Sequence, residues 1–317
     1  MTTATAPTPT PLAFRKSLFN WDGIFALATK GSALTIAIVL ALVALFLTML
    51  AWPALVDPSL RLPMRGRVEP VSIWEYVAPQ LYGTALAAAV ALALAVPVAM
   101  ALAVFINFYA PRALAGPLAA LIDVMVAIPS VVYGLWGGLV LLPLLQPFME
   151  FLAKYFGWIP LFAGPVSPIG RVIFSASIVL AIMVVPIITA ICREIYARAP
   201  HLQMEASLAL GATKWEMIKM VVLPFGRSGT VSAAMIGLGR ALGETMAVAM
   251  VLSPGATFSL SLLHASAHST IASNIALQYP EATPKMASAL IFTGLVLFLI
   301  TLAVNAGGRA FVARKEK

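Results

Sequence analysis

Thr84-Ala-Leu-Ala-Ala-Ala-Val-Ala-Leu-Ala-Leu-Ala-Val-Pro-Val-Ala-Met-Ala-Leu-Ala-Val-Phe-Ile106 decides the fold class. The run holds no charged residue, and as a helix it is about 35 Å long, enough to cross the hydrocarbon core of a bilayer. The composition around it agrees. Hydrophobic residues make up 61% of the 317-residue chain and charged residues only 10%. Water-soluble domains carry about 25% charged residues, so a soluble fold of this composition is excluded.

Working outward, five more apolar runs are long enough to span. They are Ser32 to Leu50, Leu118 to Leu142, Val172 to Ile191, Thr230 to Leu252 and Ala287 to Gly307. The expected fold is an all-α membrane protein of six transmembrane helices over residues 31–317, after an N-terminal segment 1–30 that is disordered or interfacial. Met1 to Pro11 is rich in Thr, Pro and Ala, and no signal peptide is evident, so the first run reads as an uncleaved helix. Pro97, Pro129 and Pro186 fall inside spans, where each removes a backbone hydrogen bond. With both termini placed on the cytoplasmic side, the inside segments hold thirteen Lys and Arg and the outside segments six, the bias expected for that orientation. The cluster Arg61, Arg65 and Arg67 runs against it. The net charge of +8 thus speaks of orientation, with no nucleic-acid partner implied. Of the long outer loops, the one from Pro143 to Arg171 is expected to lay Phe148, Phe151, Tyr155, Phe156 and Trp158 on the outer interface as a short amphipathic helix. The last, Ser253 to Met286, offers Asn274, Gln278 and Glu281 to an external partner.

The longest inner segment, about 193–227, is expected to form a helix-turn-helix: Pro200 ends one helix, Glu205 to Leu210 forms a short second one stopped by Gly211, and a third stops at Pro224. Glu205-Ala206-Ser207, Gly211 four residues on, then Val221-Val222-Leu223-Pro224 resemble the EAA loop of ABC-importer permeases. That resemblance implies a type I importer bundle whose short cytoplasmic helix docks in a groove of an ATPase subunit. Glu205, Ala206, Ser207, Gly211, Leu223 and Pro224 would form the coupling surface.

The fifth run carries Arg240 and Glu244 four residues apart, expected on one helix face. An Arg at the bilayer centre costs at least ~2.5–3.5 kcal/mol and marks a pathway or an interface. A structural salt bridge is the plainer reading of the pair. Gly237, Gly239 and Gly243 make a close-packing pattern of the GxxxG kind, placing Arg240 near a helix interface. The spacing is wrong for a dinucleotide fingerprint, and no P-loop occurs in the chain, so any ATP that powers transport binds elsewhere.

Gly239-Arg-Ala-Leu-Gly-Glu-Thr-Met-Ala-Val248 resembles the fifth-helix signature of the PstC-type permease subunits of phosphate-specific ABC importers. Ala127-Ile-Pro-Ser-Val-Val-Tyr-Gly-Leu-Trp136, Tyr109-Ala-Pro-Arg112 and Thr270-Ile-Ala-Ser-Asn-Ile275 are similar to other stretches of that family. The resemblance implies a heterodimer with a PstA-type permease, two PstB-type ATPases that hold ATP and Mg, an external PstS-type phosphate-binding protein, and a multi-pass location in a prokaryotic cytoplasmic membrane. It implies no cofactor bound by this chain and no catalytic residue. Arg240 would meet the phosphate anion with Glu244 as its charge partner when the path is empty. Ser130 and Tyr133 would line the path as hydroxyl donors or, equally, satisfy backbone groups freed by Pro129. Two rival readings are a permease for another oxyanion, such as molybdate or sulfate, and a secondary transporter or channel, against which the EAA-like loop argues. His264 and His268 are too few for a metal site, Asp123 belongs at the inner interface, and Cys192 reads as a small buried residue.

Overall fold

The computed structural model describes residues 21–57, 60–64 and 69–315. The Thr/Pro-rich start, Arg15, Lys16, Arg65, Arg67 and Lys317 lie outside the described residues. The chain divides into two units, residues 1–46 and 47–317. The described part of the first is one apolar helix, the start of α1 (Trp21–Val56). That helix begins ten residues before the segment boundary expected at residue 30.

Thirteen helices are described: α1, α2 (Ile73–Val104), α3 (Arg112–Ala127), α4 (Ser130–Trp136), α5 (Leu142–Phe156), α6 (Ile173–Ala197), α7 (His201–Ala209), α8 (Lys214–Met217), α9 (Leu223–Phe225), α10 (Arg227–Gly243), α11 (Met246–Val251), α12 (Ile271–Gln278) and α13 (Pro284–Lys315). No strand forms among the described residues beyond two isolated bridges, Leu62 with Val71 and Val166 with His264. Five segments are long and apolar enough to span: Gly23–Val56, Ile73–Tyr109, Ser130–Phe156, Ile173–Ala197 and Pro284–Ala310. A sixth is reached if Lys214–Phe225 and Arg227–Gly243, bent by 68°, count as one span.

The core of the second unit is α2 against α6, the most extensive helix pairing. Ala87, Ala91, Ala95, Ala99 and Ala103 recur every fourth residue along α2 and are all 1% exposed or less. Without a hydrophobic drive between helices in lipid, such a stripe works by letting backbones approach and dispersion contacts accumulate. The quoted run is therefore the stripe that seats α2 in the bundle. A capping box starts the helix, with Ser72 accepting from the Glu75 N–H and the Glu75 carboxylate accepting from the Ser72 N–H. Pro97 and Pro186 are carried inside α2 and α6.

Two expected spans need correction. The run Leu118 to Leu142 is not one helix. Pro129 has no N–H to give and forces the residue before it out of the helical region; Ile128 sits at φ −66°, ψ 128°. The chain breaks there and restarts at Ser130. The span then continues through a π-helical turn, Gly137–Leu141, and α5 to Phe156. Phe148, Phe151, Tyr155 and Phe156 thus belong to the end of the span, and no separate interfacial helix forms. The fifth run, Thr230 to Leu252, is also broken: α10 ends at Gly243, and Glu244 takes extended angles, φ −69° and ψ 125°.

Candidate substrate path and coupling loop

The two broken helices lie side by side. α4 packs on α11 through Gly134, where an added Cβ would fall 2.6 Å from the Ala247 Cα. Irregular backbone at membrane depth is tolerated only where it is buried in protein or lines a cavity, so the two breaks, Ala127 and Pro129 exposed in this chain and Glu244 buried, are the candidate site. Tyr133 is buried, and its hydroxyl donates to the Met125 carbonyl at 3.0 Å. That carbonyl belongs to the last turn of α3 and also accepts the Ile128 N–H in a long bond of 3.4 Å. The Tyr133 hydroxyl is therefore occupied as a brace across the break. Ser130, at the start of α4, is half-buried with no hydrogen bond from its hydroxyl among the described residues. Tyr133→Phe is expected to leave the Met125 carbonyl with the long Ile128 bond alone and to cost about 0.5–1.5 kcal/mol, read as a lower thermal unfolding temperature of the purified complex. Unchanged stability would show that the hydroxyl is not a brace.

Arg240 and Glu244 do not form the expected pair. The helix ends between them, so they share no helix face. Glu244 is buried, and its Oε1 accepts the Ala247 N–H at 3.1 Å, capping α11. Among the described residues the ion pairs are Arg193 with Asp123 and Arg198 with Glu194. Arg240 is half-buried in the last turn of α10, and its Nε is enclosed without a hydrogen-bond partner among the described residues. Its charge is within electrostatic reach of the Tyr133 ring. An enclosed guanidinium N–H with no acceptor costs free energy, and an anion with planar or tetrahedral oxygens is the ligand that removes the cost. Arg240, Glu244, Tyr133 and Ser130 thus come from the ends of two helix breaks that pack together, with Glu244 in a capping role.

The glycines of α10 divide. A Cβ at Gly237 would fall 2.6 Å from Val184 Cγ1 and 2.9 Å from Ile188 Cδ1, while Gly239 and Gly243 have nothing within 4 Å of theirs. Gly237 is therefore a close contact of α10 with α6, and the other two leave an open strip on the same helix. Gly237→Leu is expected to overpack the α6–α10 contact and destabilise the chain by about 1–3 kcal/mol. Gly239→Leu is expected to leave its thermal unfolding unchanged, measured side by side in detergent.

In the loop of residues 193–227, α7 begins at His201, directly after Pro200, and ends at Ala209. It starts four residues before the expected helix, so Glu205 lies in its second turn and gains little from the helix dipole. Gly211 takes φ +89°, the left-handed conformation that ends a helix, with its N–H bonded to the Leu208 carbonyl at 3.0 Å. A second capping box follows at Thr213 and Glu216. The stretch that was expected to stop at Pro224 instead runs to Phe225 and turns at Gly226. Gly226 is needed there because a Cβ would fall 2.4 Å from the Tyr196 ring. Met204 is buried and seats α7. Glu205, Ala206 and Gly211 are exposed, and Ser207, whose Oγ donates to the Met204 carbonyl at 2.7 Å, is half-buried. Leu202 is 82% exposed and Leu210 90%. These two side chains give the loop an exposed apolar surface.

Residues 95–317 match the family of binding-protein-dependent transport system inner membrane components. The chain belongs to this permease family. Over 300 residues, 93% of the chain and 92% of the relative, it is 43% identical to the phosphate transport system permease protein PstC 2 of Mycobacterium tuberculosis. It is 34% identical over 301 residues to PstC of Haemophilus influenzae, with 93% of the chain and 94% of the relative covered. The fold is similar to a solved bacterial ABC transporter involved in the import of the acidic polysaccharide alginate, at 15% identity and TM-score 0.53, over 75% of the permease and 79% of that chain.

Three features of the permease escaped the sequence reading. Asp123, expected at the interface, pairs with Arg193 at 3.2 Å, and Asn107 Nδ2 donates to the Arg193 carbonyl at 2.7 Å, tying α3 and the π-helical turn after α2 (Phe105–Tyr109) to α6. Asn274 and Gln278, expected to face an external partner, point inward: Asn274 Nδ2 donates to the Tyr76 hydroxyl at 2.8 Å, and that hydroxyl donates to Gln278 Oε1 at 3.1 Å. Tyr76, Gln80 and Thr84, spaced four apart on α2, were the available signal. His264 and His268 sit in the loop before α12, where His268 Nε2 bonds the Ser259 carbonyl at 2.7 Å. Burial holds the His268 imidazole below its ordinary pKa. No group of three or more His, Cys, Asp and Glu that would suit a metal occurs among the described residues. Cys192 is buried against Thr230.

Proposed function

We propose that this permease is the PstC-type subunit of an ATP-driven importer of inorganic phosphate, lying across a prokaryotic cytoplasmic membrane with both termini inside. The observation that carries the reading is Arg240: a half-buried arginine in the last turn before a helix break, its Nε enclosed without a partner among the described residues, in a chain 43% identical to a phosphate transport permease. Arg240 receives phosphate in transit through its planar donor fork. Glu244 holds the break in shape, and Ser130 supplies a free hydroxyl beside it. The open strip at Gly239 and Gly243 meets a PstA-type companion permease. The surface of Glu205, Ala206, Ser207 and Gly211, with Leu202 and Leu210 around it and Leu223 and Pro224 behind, seats a PstB-type ATPase that carries ATP and Mg. A PstS-type protein delivers phosphate from outside. In this reading the chain itself binds no cofactor and catalyses no reaction.

The test is ATP hydrolysis in liposomes holding this chain with its companion permease and ATPase, with the binding protein added outside. Hydrolysis that rises with phosphate and is indifferent to molybdate and sulfate is the expected result. A response to one of the other oxyanions keeps the architecture and overturns the substrate. Phosphate flux with no copurifying ATPase overturns the architecture in favour of a secondary transporter or channel.

A further inference from the structure

A cavity of about 20 Å³ lies between α2 and the loop leading into α12, lined among others by Tyr76, Gln80, Pro254, Gly255, Ser269 and Asn274. Two buried polar atoms without partners belong to its wall. Gln80, 3% exposed, spends its Nε2 on the Tyr76 carbonyl at 3.1 Å and leaves Oε1 unbonded; Ser269, also 3% exposed, leaves Oγ unbonded. The neighbouring groups cannot relieve them. The Tyr76 hydroxyl, Asn274 and Gln278 satisfy one another in a closed set of side-chain bonds.

The backbone around the cavity is held too firmly for the two atoms to meet by collapse. The loop presses on α2 so closely that a Cβ at Gly83 would fall 2.2 Å from the Ser269 carbonyl oxygen. The Ile271 N–H donates to Thr84 Oγ1 at 3.0 Å, and that hydroxyl donates to the Gln80 carbonyl at 2.7 Å. A buried orphan acceptor and a buried orphan hydroxyl each cost free energy that a bridging partner would recover.

We propose that this cavity is a binding site for one water molecule, which donates to Gln80 Oε1 and accepts from Ser269 Oγ. A water needs about 10–15 Å³ of such space and two to four polar partners, and the site meets both conditions. A cation is the alternative occupant for an oxygen-lined hole. No carboxylate lines the cavity, while Met64 and Ala256 do, so an ion there would be buried without countercharge. The water thus pins the loop of residues 252–270 to α2 at its closest approach.

The test is a map of the purified permease in its complex, at a resolution that shows ordered water. A single peak within hydrogen-bonding distance of both atoms, lost in the Gln80→Leu, Ser269→Ala double variant, is the expected result. An empty cavity, a direct Gln80 to Ser269 bond, or a peak with the short contacts and crowded oxygen shell of a cation overturns the site. Thermal unfolding gives an independent reading. Each single variant strands the other orphan and the water, so the double variant is expected to lower the unfolding temperature by less than the two single shifts together. Additive shifts overturn the coupling.

Discussion

Arg240→Ala is expected to abolish phosphate uptake while the chain still folds and assembles. The two halves of this expectation separate a transport role from a structural one. If Arg240 were one partner of a buried salt bridge, removing it would strand the other charge and cost about 3–5 kcal/mol. Glu244, the only acid near it in sequence, is instead bonded to the Ala247 N–H, and Arg240 Nε has no partner among the described residues. Truncation therefore strands no charge partner among the described residues and removes one enclosed unpaired N–H, so the unfolding temperature is expected to hold. Uptake behaves differently. A bidentate Arg–phosphate contact carries two charge-assisted hydrogen bonds of about 1.5–3 kcal/mol each, so their loss lowers uptake by roughly a hundredfold or more. Arg240→Lys keeps the charge without the planar fork and is expected to fall between. Glu244→Gln keeps a carbonyl oxygen to cap α11 and is expected to be far milder than Arg240→Ala. Radiolabelled phosphate uptake and thermal unfolding, measured on the same preparations, check all three. Normal uptake by Arg240→Ala would sink the assignment.

Leu202→Asp with Leu210→Asp is expected to uncouple the permease from its ATPase without disturbing the chain's own fold. Both side chains are almost entirely exposed, so neither contributes to the core. Burying each against a partner is worth about 1.5–3 kcal/mol. Losing both weakens association by roughly a hundredfold to ten-thousandfold, before the cost of burying two carboxylates is added. Met204 is the internal control. It is buried on the opposite side of α7, and Met204→Asp is expected to damage folding itself. The readouts are the ATPase retained on purification and the hydrolysis stimulated by phosphate. Full retention and full stimulation with the double variant would move the coupling surface elsewhere.

The parts of this fold that depend on composition and spacing were legible in the residues. The charge-free run of α2 declared a span, and Gly211 declared the end of α7 because its φ of +89° suits glycine. The helix-turn-helix of residues 193–227 followed from Pro200, Gly211 and Pro224. What was not legible depended on whether a helix survives a local interruption. Pro97 and Pro186 lie within continuous helices, whereas Pro129 breaks one, and the difference comes from neighbours that brace the break, such as Tyr133. At Glu244 no proline announced the break, and Gly243 just before it reads in the sequence as a packing residue of the GxxxG kind. An i,i+4 pairing with Arg240 assumes a continuous helix, and that assumption failed when the carboxylate capped α11 instead. The same limit applied to α12, where polar residues were expected to face outward because they lie in a loop. Tyr76, Asn274 and Gln278 found each other in the interior. Buried polar groups in a membrane bundle are settled by partners distant in sequence, which one chain's local pattern does not reveal.

The central claim is that this chain conducts inorganic phosphate as part of an ATP-driven import unit. Its most direct test is uptake of radiolabelled phosphate into liposomes carrying the assembled transporter, with ATP supplied on the ATPase side and unlabelled phosphate, sulfate or molybdate as competitors. The expected result is uptake that requires ATP and the binding protein and is competed by phosphate alone. Uptake that persists without ATP, or that sulfate or molybdate suppresses as well as phosphate does, would contradict it.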